Sequence, residues 1–275
     1  MARTYPFLFS IPHAGTLIPD ELQASVLLDH NAIDYYSDPG SRSLFHFPGK
    51  IAASIDTPVS RLFVDLNRPP YHLPPRHPDG VVKIRTVDGR QIYQEGLSPD
   101  MARIQRLMMI HYFPYHAETD RLIRDRQVRL AIDCHCMLPV GIAGQKDAGE
   151  LRPHICLGNH GDKNGNARKG TLNTCPAPWI QALAEVFRDT FPRGTIVAIN
   201  TPYSGGFISL SHYWHTGVPW IQLEISRSLF EESGSGPDNG VLLDDERIRV
   251  LQEKIWKSLT VFWDTTAGPS HFGSK

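Results

Sequence analysis

Short runs of apolar residues recur along this chain of 275 residues, and most are continuous rather than alternating between apolar and polar positions. Successive side chains of a strand point to opposite faces of a sheet, so a continuous run indicates burial on both faces. Such strands are typical of a mainly parallel sheet covered by helices on both sides. The predicted strands are residues 5–11, 62–66, 128–133, 154–157, 195–200 and 220–225.

The segments between and after these runs place apolar residues at the spacing of an amphipathic helix. The first is expected to begin at Pro19-Asp20-Glu21, because proline and acidic side chains are favourable in the first turn of a helix. The other predicted helices are residues 98–112, 176–191 and 244–263. The chain is therefore predicted to form one α/β domain over residues 1–275.

Charge and apolar content exclude several classes of protein. The formal net charge of −1 gives no electrostatic reason to expect nucleic acid or an anionic membrane as partner. No apolar run approaches the roughly 20 residues of a membrane span, and the first residues lack the pattern of a secretory signal. The four cysteines do not indicate a disulfide framework. We expect a cytoplasmic protein that acts on a small molecule, and the sequence leaves the oligomeric state open.

A proline-rich segment interrupts the alternation of strands and helices. Residues 69–96 contain five prolines, which predicts an ordered excursion or lid rather than part of the sheet. The segment follows Asn67 and Arg68 directly. These two side chains can either grip a substrate carboxylate through a forked contact or form a structural bridge. We expect the segment to cover the pocket in which that carboxylate would bind.

Two histidines lie where predicted strands stop, at the edge where open α/β sheets bind ligands. His13 follows the first apolar run, in the sequence Pro-His-Ala-Gly at residues 12–15. It is either a metal ligand or an ordinary turn histidine. His135 shares one side of its strand with Asp133, while the cysteines on either side of His135 point the other way. We therefore predict Asp133 as the group that orients His135 and the cysteines as core residues.

Glu224 lies inside an otherwise apolar run, where a buried carboxylate is costly unless it is paired or functional. It is either a general base beside a metal or the partner of an arginine such as Arg61 or Arg227. Catalytic zinc sites usually have three protein ligands, so a carboxylate must join the two histidines. Asp38, which precedes Pro-Gly in a turn, is preferred to Glu21 on the first predicted helix.

Together these segments resemble the N-formylglutamate amidohydrolase family. The matching segments follow the family's order over most of the chain and are residues 12–15, 18–19, 36–40, 60–61, 65–69, 114–116, 133–135, 157–158, 203–206 and 222–224. The resemblance implies a three-layer α/β/α fold with a mainly parallel mixed sheet, akin to zinc carboxypeptidases and aspartoacylases. It also implies one zinc ion, for which His13 and His135 match ligands and Asp38 is our choice of third ligand.

In the same comparison, Glu224 matches the catalytic glutamate, and Asn67 with Arg68 matches the pair that binds the substrate carboxylate. Further candidates for substrate binding in the matching segments are Arg61, Tyr203 and Gly205. The implied activity is hydrolysis of an N-acyl amino acid such as N-formyl-L-glutamate to formate and the amino acid, a reaction of histidine degradation. The alternatives are a carboxypeptidase- or aspartoacylase-like hydrolase of other substrates and a non-catalytic, metal-containing metabolite-binding protein.

The chain also departs from these patterns. The His-x-x-Glu motif of zinc carboxypeptidases is absent, because Thr16 stands three residues after His13. Cys136 follows His135 where a serine is expected, and Asn159-His160 stands where a pair like Asp-Arg is common. These differences concern the acyl and amino-acid specificity rather than the metal chemistry.

Overall fold

The computed structural model of the protein describes residues 3–268. Its strands are β1 (Tyr5–Ile11), β2 (Ile51–Asp56), β3 (Leu130–Met137), β4 (Ile155–Gly158), β5 (Val197–Ile199) and β6 (Trp220–Ser226). They form one sheet in the order β2-β1-β3-β6-β4-β5. β4 runs antiparallel to β6, and the other neighbouring pairs are parallel, so the mainly parallel mixed sheet is confirmed.

The described residues form seven α-helices. They are α1 (His30–Tyr36), α2 (Ser41–Leu44), α3 (Met101–Leu107), α4 (Phe113–Asp125), α5 (Ala177–Thr190), α6 (Phe207–Thr216) and α7 (Asp245–Phe262). A π-helical turn, Met108–Tyr112, joins α3 to α4 and makes them one continuous helical run. None of the described helices is long and apolar enough to cross a membrane.

Helices cover both faces of the sheet. On one face, α2, α5 and α7 pack around a core that includes Phe7, Phe9 and Phe262. On the other face, α1, the α3–α4 run and α6 pack around a core that includes Leu8 and Ile33. Alternate residues of β1 thus enter opposite cores, as its continuous apolar run predicts. The three-layer α/β/α fold is confirmed.

Some predicted elements are wrong or incomplete. Residues 62–66 form turns rather than a strand, because their apolar side chains reach the core without an extended backbone. β2 was missed because it is an edge strand whose side chains are half-buried or exposed, so it lacks a continuous apolar run. The helix predicted at 98–112 continues to Asp125, and α1, α2 and α6 were not predicted.

The parallel strands β1, β3 and β6 bring three candidate residues to one edge of the sheet. His13 lies two residues after the end of β1, and His135 and Glu224 lie near the carboxyl ends of β3 and β6. His135 and Glu224 are directly opposite each other in the register of these two strands. The fold therefore gathers residues that are up to about two hundred positions apart in the sequence.

Candidate metal and catalytic site

Three buried side chains converge at this edge, those of His13, Asp38 and His135. The Nδ1 atoms of the two histidines lie 3.1 Å apart, and Asp38 Oδ2 lies 3.1 Å from His135 Nδ1 and 3.6 Å from His13 Nδ1. Tetrahedral ligands about 2.1 Å from a zinc ion are about 3.4 Å from one another. The triangle formed by these three candidate ligand atoms therefore has the size of a zinc site. Glu21, the alternative ligand, is exposed and outside this cluster.

Backbone hydrogen bonds hold Asp38 against both histidine-bearing segments. The Asp38 amide donates to the carbonyl oxygen of His13 at 2.9 Å, and the Cys136 amide donates to Asp38 Oδ2 at 3.2 Å. The turn continues into α2 through Gly40, whose φ of +77° lies in the left-handed region that favours glycine. The sequence Asp-Pro-Gly thus fixes the carboxylate where β1 and β3 end.

Each histidine of the cluster is oriented by a second buried carboxylate. His13 Nε2 lies 2.8 Å from Asp65 Oδ1, and His135 Nε2 lies 3.1 Å from Asp133 Oδ2. When each Nε2–H donates to its carboxylate, each Nδ1 carries a lone pair directed at the centre of the triangle. This arrangement is the usual support of histidines that bind a metal. The expected contact of Asp133 with His135 is present.

Asp65 was not among the predicted site residues. It is fully buried and lies 3.1 Å from a guanidinium nitrogen of Arg61 and 2.9 Å from Lys83 Nζ. Burial alone would raise the pKa of Asp65, but Lys83, Arg61 and His13 outweigh burial and hold this pKa well below its usual range. Asp65 is therefore an anion that can orient His13. Its sequence signals are its place within an apolar run and in the segment 65–69, which resembles the family.

Asp133 has its own set of donors. Ser10 Oγ donates to Asp133 Oδ1 at 3.1 Å, and Asn67 Nδ2 donates to Asp133 Oδ2 at 3.2 Å. Burial alone would lower the pKa of His135, but the negative charge of Asp133 and its hydrogen bond, together with the hydrogen bond to Asp38, raise this pKa well above its usual value. The imidazole of His135 thus lies in a strongly negative environment, which also suits a cation.

Glu224 lies on the strand next to His135 and is 6% exposed. Burial raises the pKa of Glu224 to about 7, the carboxylates of Asp38 and Asp133 add to this rise, and His135 and Arg61 oppose it. Its carboxylate accepts a hydrogen bond from Gln222. A carboxylate with a pKa near neutrality can both take up and release a proton, as a general base requires.

A cavity of about 700 Å³ reaches this cluster at Asp38. Three of the predicted substrate-binding residues, Arg61, Arg68 and Tyr203, line it. Arg68 is held by Asp79, with 2.8 Å between the guanidinium and the carboxylate. The cavity therefore offers guanidinium groups to a ligand that carries a carboxylate.

Two loops form much of the cavity wall. Asp79, Lys83 and Val87 come from the segment 69–96, and a second group of lining residues comes from the segment 138–153. The two segments meet at Gly144, where a Cβ atom would lie only 2.1 Å from the carbonyl oxygen of Val87. The segment 69–96 thus lies on the same side of the sheet as the cluster.

Two predicted substrate-binding residues, Asn67 and Gly205, are not among the described residues that line this cavity. The amide of Asn67 is buried; its Nδ2 lies 3.2 Å from His135 Nε2, and its Oδ1 accepts from the backbone amide of Ile208 at 2.9 Å. Gly205 packs against the ring of His160. The side chain of Asn67 therefore lies against His135, whereas that of Arg68 lines the cavity.

The four cysteines are free and buried in the structure. They lie at positions 134, 136, 156 and 175. Burial raises the pKa of each thiol, so none is an activated nucleophile. The prediction that the cysteines beside His135 are core residues is confirmed.

Comparisons with known proteins agree with this architecture. An N-formylglutamate deformylase of Pseudomonas aeruginosa is 28% identical over 233 residues, which cover 82% of each chain. The crystal structure of an N-formylglutamate amidohydrolase from Ralstonia eutropha JMP134 superimposes with a TM-score of 0.70 at 19% identity and covers 95% of this chain and 94% of that one. A gene product of Agrobacterium tumefaciens has the same fold, with a TM-score of 0.60, 19% identity and coverage of 94% of this chain and 91% of that one.

The profile of the family described as N-formylglutamate amidohydrolase matches residues 5–231, which include the cluster, Glu224 and all the described residues that line the cavity. The chain therefore belongs to the N-formylglutamate amidohydrolase family.

Proposed function

We propose that this protein is a zinc-dependent amidohydrolase that cleaves an N-formyl amino acid, such as N-formyl-L-glutamate, to formate and the free amino acid. The observation that carries the proposal is the convergence of His13 Nδ1, His135 Nδ1 and Asp38 Oδ2 beside a buried glutamate. The proposed substrate follows from the activity named for the relatives, and the arginines that line the cavity are compatible with its carboxylates.

The donor set fits zinc. Two imidazole nitrogens and one carboxylate oxygen, with the fourth position open, form a common ligand set of catalytic zinc. His13 and His135 would bind through Nδ1, and Asp38 through Oδ2. A divalent ion held there supplies a Lewis acid, which lowers the pKa of water and polarises a carbonyl group.

Glu224 would move the protons of the reaction. It takes a proton from the attacking water, whose oxygen forms a bond to the formyl carbon. When the carbon–nitrogen bond breaks, Glu224 returns this proton to the departing amino nitrogen, so the carboxylate is regenerated. A pKa near 7 suits both transfers, because neither protonation state is strongly favoured at neutral pH.

Arg68 is the best-placed residue to bind the substrate carboxylate. Its side chain is 34% exposed, compared with 23% for Arg61, which is already held by Asp38 and Asp65. The partner of Arg68, Asp79, is itself 43% exposed and can yield one guanidinium edge to a ligand. We therefore assign carboxylate binding to Arg68 and electrostatic support of the cluster to Arg61.

The test is metal analysis of the purified protein coupled to an assay of formate release from N-formyl amino acids. We expect about one zinc per chain and turnover that is lost with a chelator and restored by zinc. Release of acetate or of terminal amino acids, in place of formate, would support a hydrolase of other N-acyl groups or of peptide ends. Stoichiometric zinc without turnover of any of these substrates would refute the proposal and indicate a binding protein.

A further inference from the structure

Gln222 lies two residues before Glu224 on β6, so both side chains project from the same side of the strand. Gln222 Nε2 donates a hydrogen bond to Glu224 Oε1 at 2.7 Å. Gln222 is 4% exposed, and its neighbours in the strand register are Asp133 and Gly158. The side-chain amide of Gln222 thus lies beside the carboxylate of Glu224 and is not part of the metal cluster.

The other end of this amide is unsatisfied. Gln222 Oε1 is buried and has no hydrogen-bond partner among the described residues. A buried amide oxygen without a partner is destabilising, and an apolar side chain of similar volume would fill the same space without that cost. Packing alone therefore does not explain a glutamine here. The contact that remains to explain it is the one with Glu224.

We propose that Gln222 is a positioning residue that occupies Oε1 of Glu224 and leaves Oε2 as the oxygen that takes up and releases the proton. The inference rests on the proposed function. A carboxylate has two equivalent oxygens, and rotation about its terminal bond exchanges them. A hydrogen bond between an amide N–H and a charged oxygen is strong enough to suppress that exchange.

The same contact serves both halves of the reaction. When Glu224 is a carboxylate, Gln222 donates to Oε1, and Oε2 accepts the proton of the attacking water. When Glu224 is protonated on Oε2, Oε1 is a carbonyl oxygen and still accepts from the same amide. The proton therefore returns to the leaving nitrogen from the atom that received it, without rotation of the side chain. Such preorganisation affects the rate of the chemical step rather than substrate binding.

The test is Gln222→Met, which keeps the volume of the side chain and removes the N–H donor. We expect kcat to fall by about 10- to 100-fold, because small losses of alignment have effects of this size. KM and zinc content should stay unchanged. Gln222→Asn is a second variant, which keeps an amide but is too short to reach Glu224, and we expect the same result. Leu223→Met is the matched control, because Leu223 lies on the same strand and faces the opposite core.

A double-mutant cycle with Glu224→Gln separates positioning from a structural role. If Gln222 acts through Glu224, Gln222→Met should not reduce further the residual turnover of Glu224→Gln. Additive losses, or a rise in KM without a fall in kcat, would overturn the inference. An active parent whose Gln222 variants turn over normally overturns this inference alone. A parent that binds zinc but hydrolyses no N-acyl substrate overturns the proposed function and this inference with it.

Discussion

Replacement of Glu224 by glutamine is expected to reduce turnover strongly and, in the metal-free protein, to increase stability at alkaline pH. The two effects have one origin, the burial of a carboxylate that has no arginine partner among the described residues. Arg227 is paired with Glu231, and Arg61 with Asp38 and Asp65. The structural alternative considered for Glu224, an ion pair with one of these arginines, is therefore not formed.

The size of the stability effect follows from the pKa of Glu224. Burial raises the pKa of Glu224 from 4.5 to about 7 in the folded protein. Below about pH 4.5 Glu224 is neutral in both the folded and the unfolded protein, and its contribution to stability is complete. This contribution is lost as the pH rises through about 7, because the folded protein must then hold a buried charge. The rise of the pKa from 4.5 to about 7 corresponds to a loss of about 3 kcal/mol in the free energy of unfolding above pH 8. Glu224→Gln removes this penalty, which corresponds to several degrees in Tm.

The activity of the same variant should fall by at least about 100-fold, since general acid–base catalysis typically contributes about 10²–10⁴-fold. The amide cannot accept the proton of the attacking water. Zinc content and substrate affinity should be retained, because glutamine has nearly the same shape as glutamate. The measurements are kcat, bound zinc, and thermal unfolding of the chelator-treated protein at pH 5 and pH 9.

Glu231→Gln is the matched control for this experiment. It leaves the buried guanidinium of Arg227 unpaired, so it should destabilise the protein by about 3–5 kcal/mol while the folded fraction stays active. Glu224→Gln should behave in the opposite way on both counts. A Glu224→Gln protein that is destabilised at both pH values and turns over normally per folded molecule would refute the catalytic assignment.

Four further variants test the remaining assignments. Asp38→Ala should lose the metal while Glu21→Ala keeps it, and metal analysis that gives the reverse would move the third ligand to Glu21. Asp65→Asn should weaken zinc binding by about 10- to 100-fold through the loss of orientation of His13, as measured by competition with a chelating dye; unchanged affinity would contradict the role given to Asp65. Arg68→Ala should raise KM by at least about tenfold with little change in kcat, and a normal KM would show that the carboxylate binds elsewhere.

The strands that could be predicted are those in which a continuous apolar run corresponds to burial on both faces of the sheet. β1, β3 and β6 are buried on both faces, and their apolar runs gave their positions within a few residues. Residues 62–66 show the limit of this argument, because turns bury apolar side chains as well as strands do. β2 shows the converse, since an edge strand needs no continuous apolar run.

The residues of the candidate site likewise include some that could be predicted from the sequence and some that could not. The meeting of His13, His135 and Glu224 at one edge of the sheet was predictable, because these residues end or interrupt apolar strands. Asp65 was not, because its role depends on a turn that brings it to His13 from a segment about fifty residues away. The sequence predicts that Asn67 and Arg68 bind a carboxylate as a pair, but it does not reveal that the amide of Asn67 lies 3.2 Å from His135 Nε2. Such relations depend on tertiary contacts that no local pattern contains.

The carboxylates that surround the cluster also have a consequence for charge balance. Five carboxylates surround three cations, and the residues are Asp38, Asp65, Asp79, Asp133 and Glu224 against Arg61, Arg68 and Lys83. The excess of two negative charges equals the charge of one divalent ion. A proton on His135 can neutralise part of the same excess, so protons and metal compete for one buried site. The pH at which the protein is purified should therefore determine how much metal it retains.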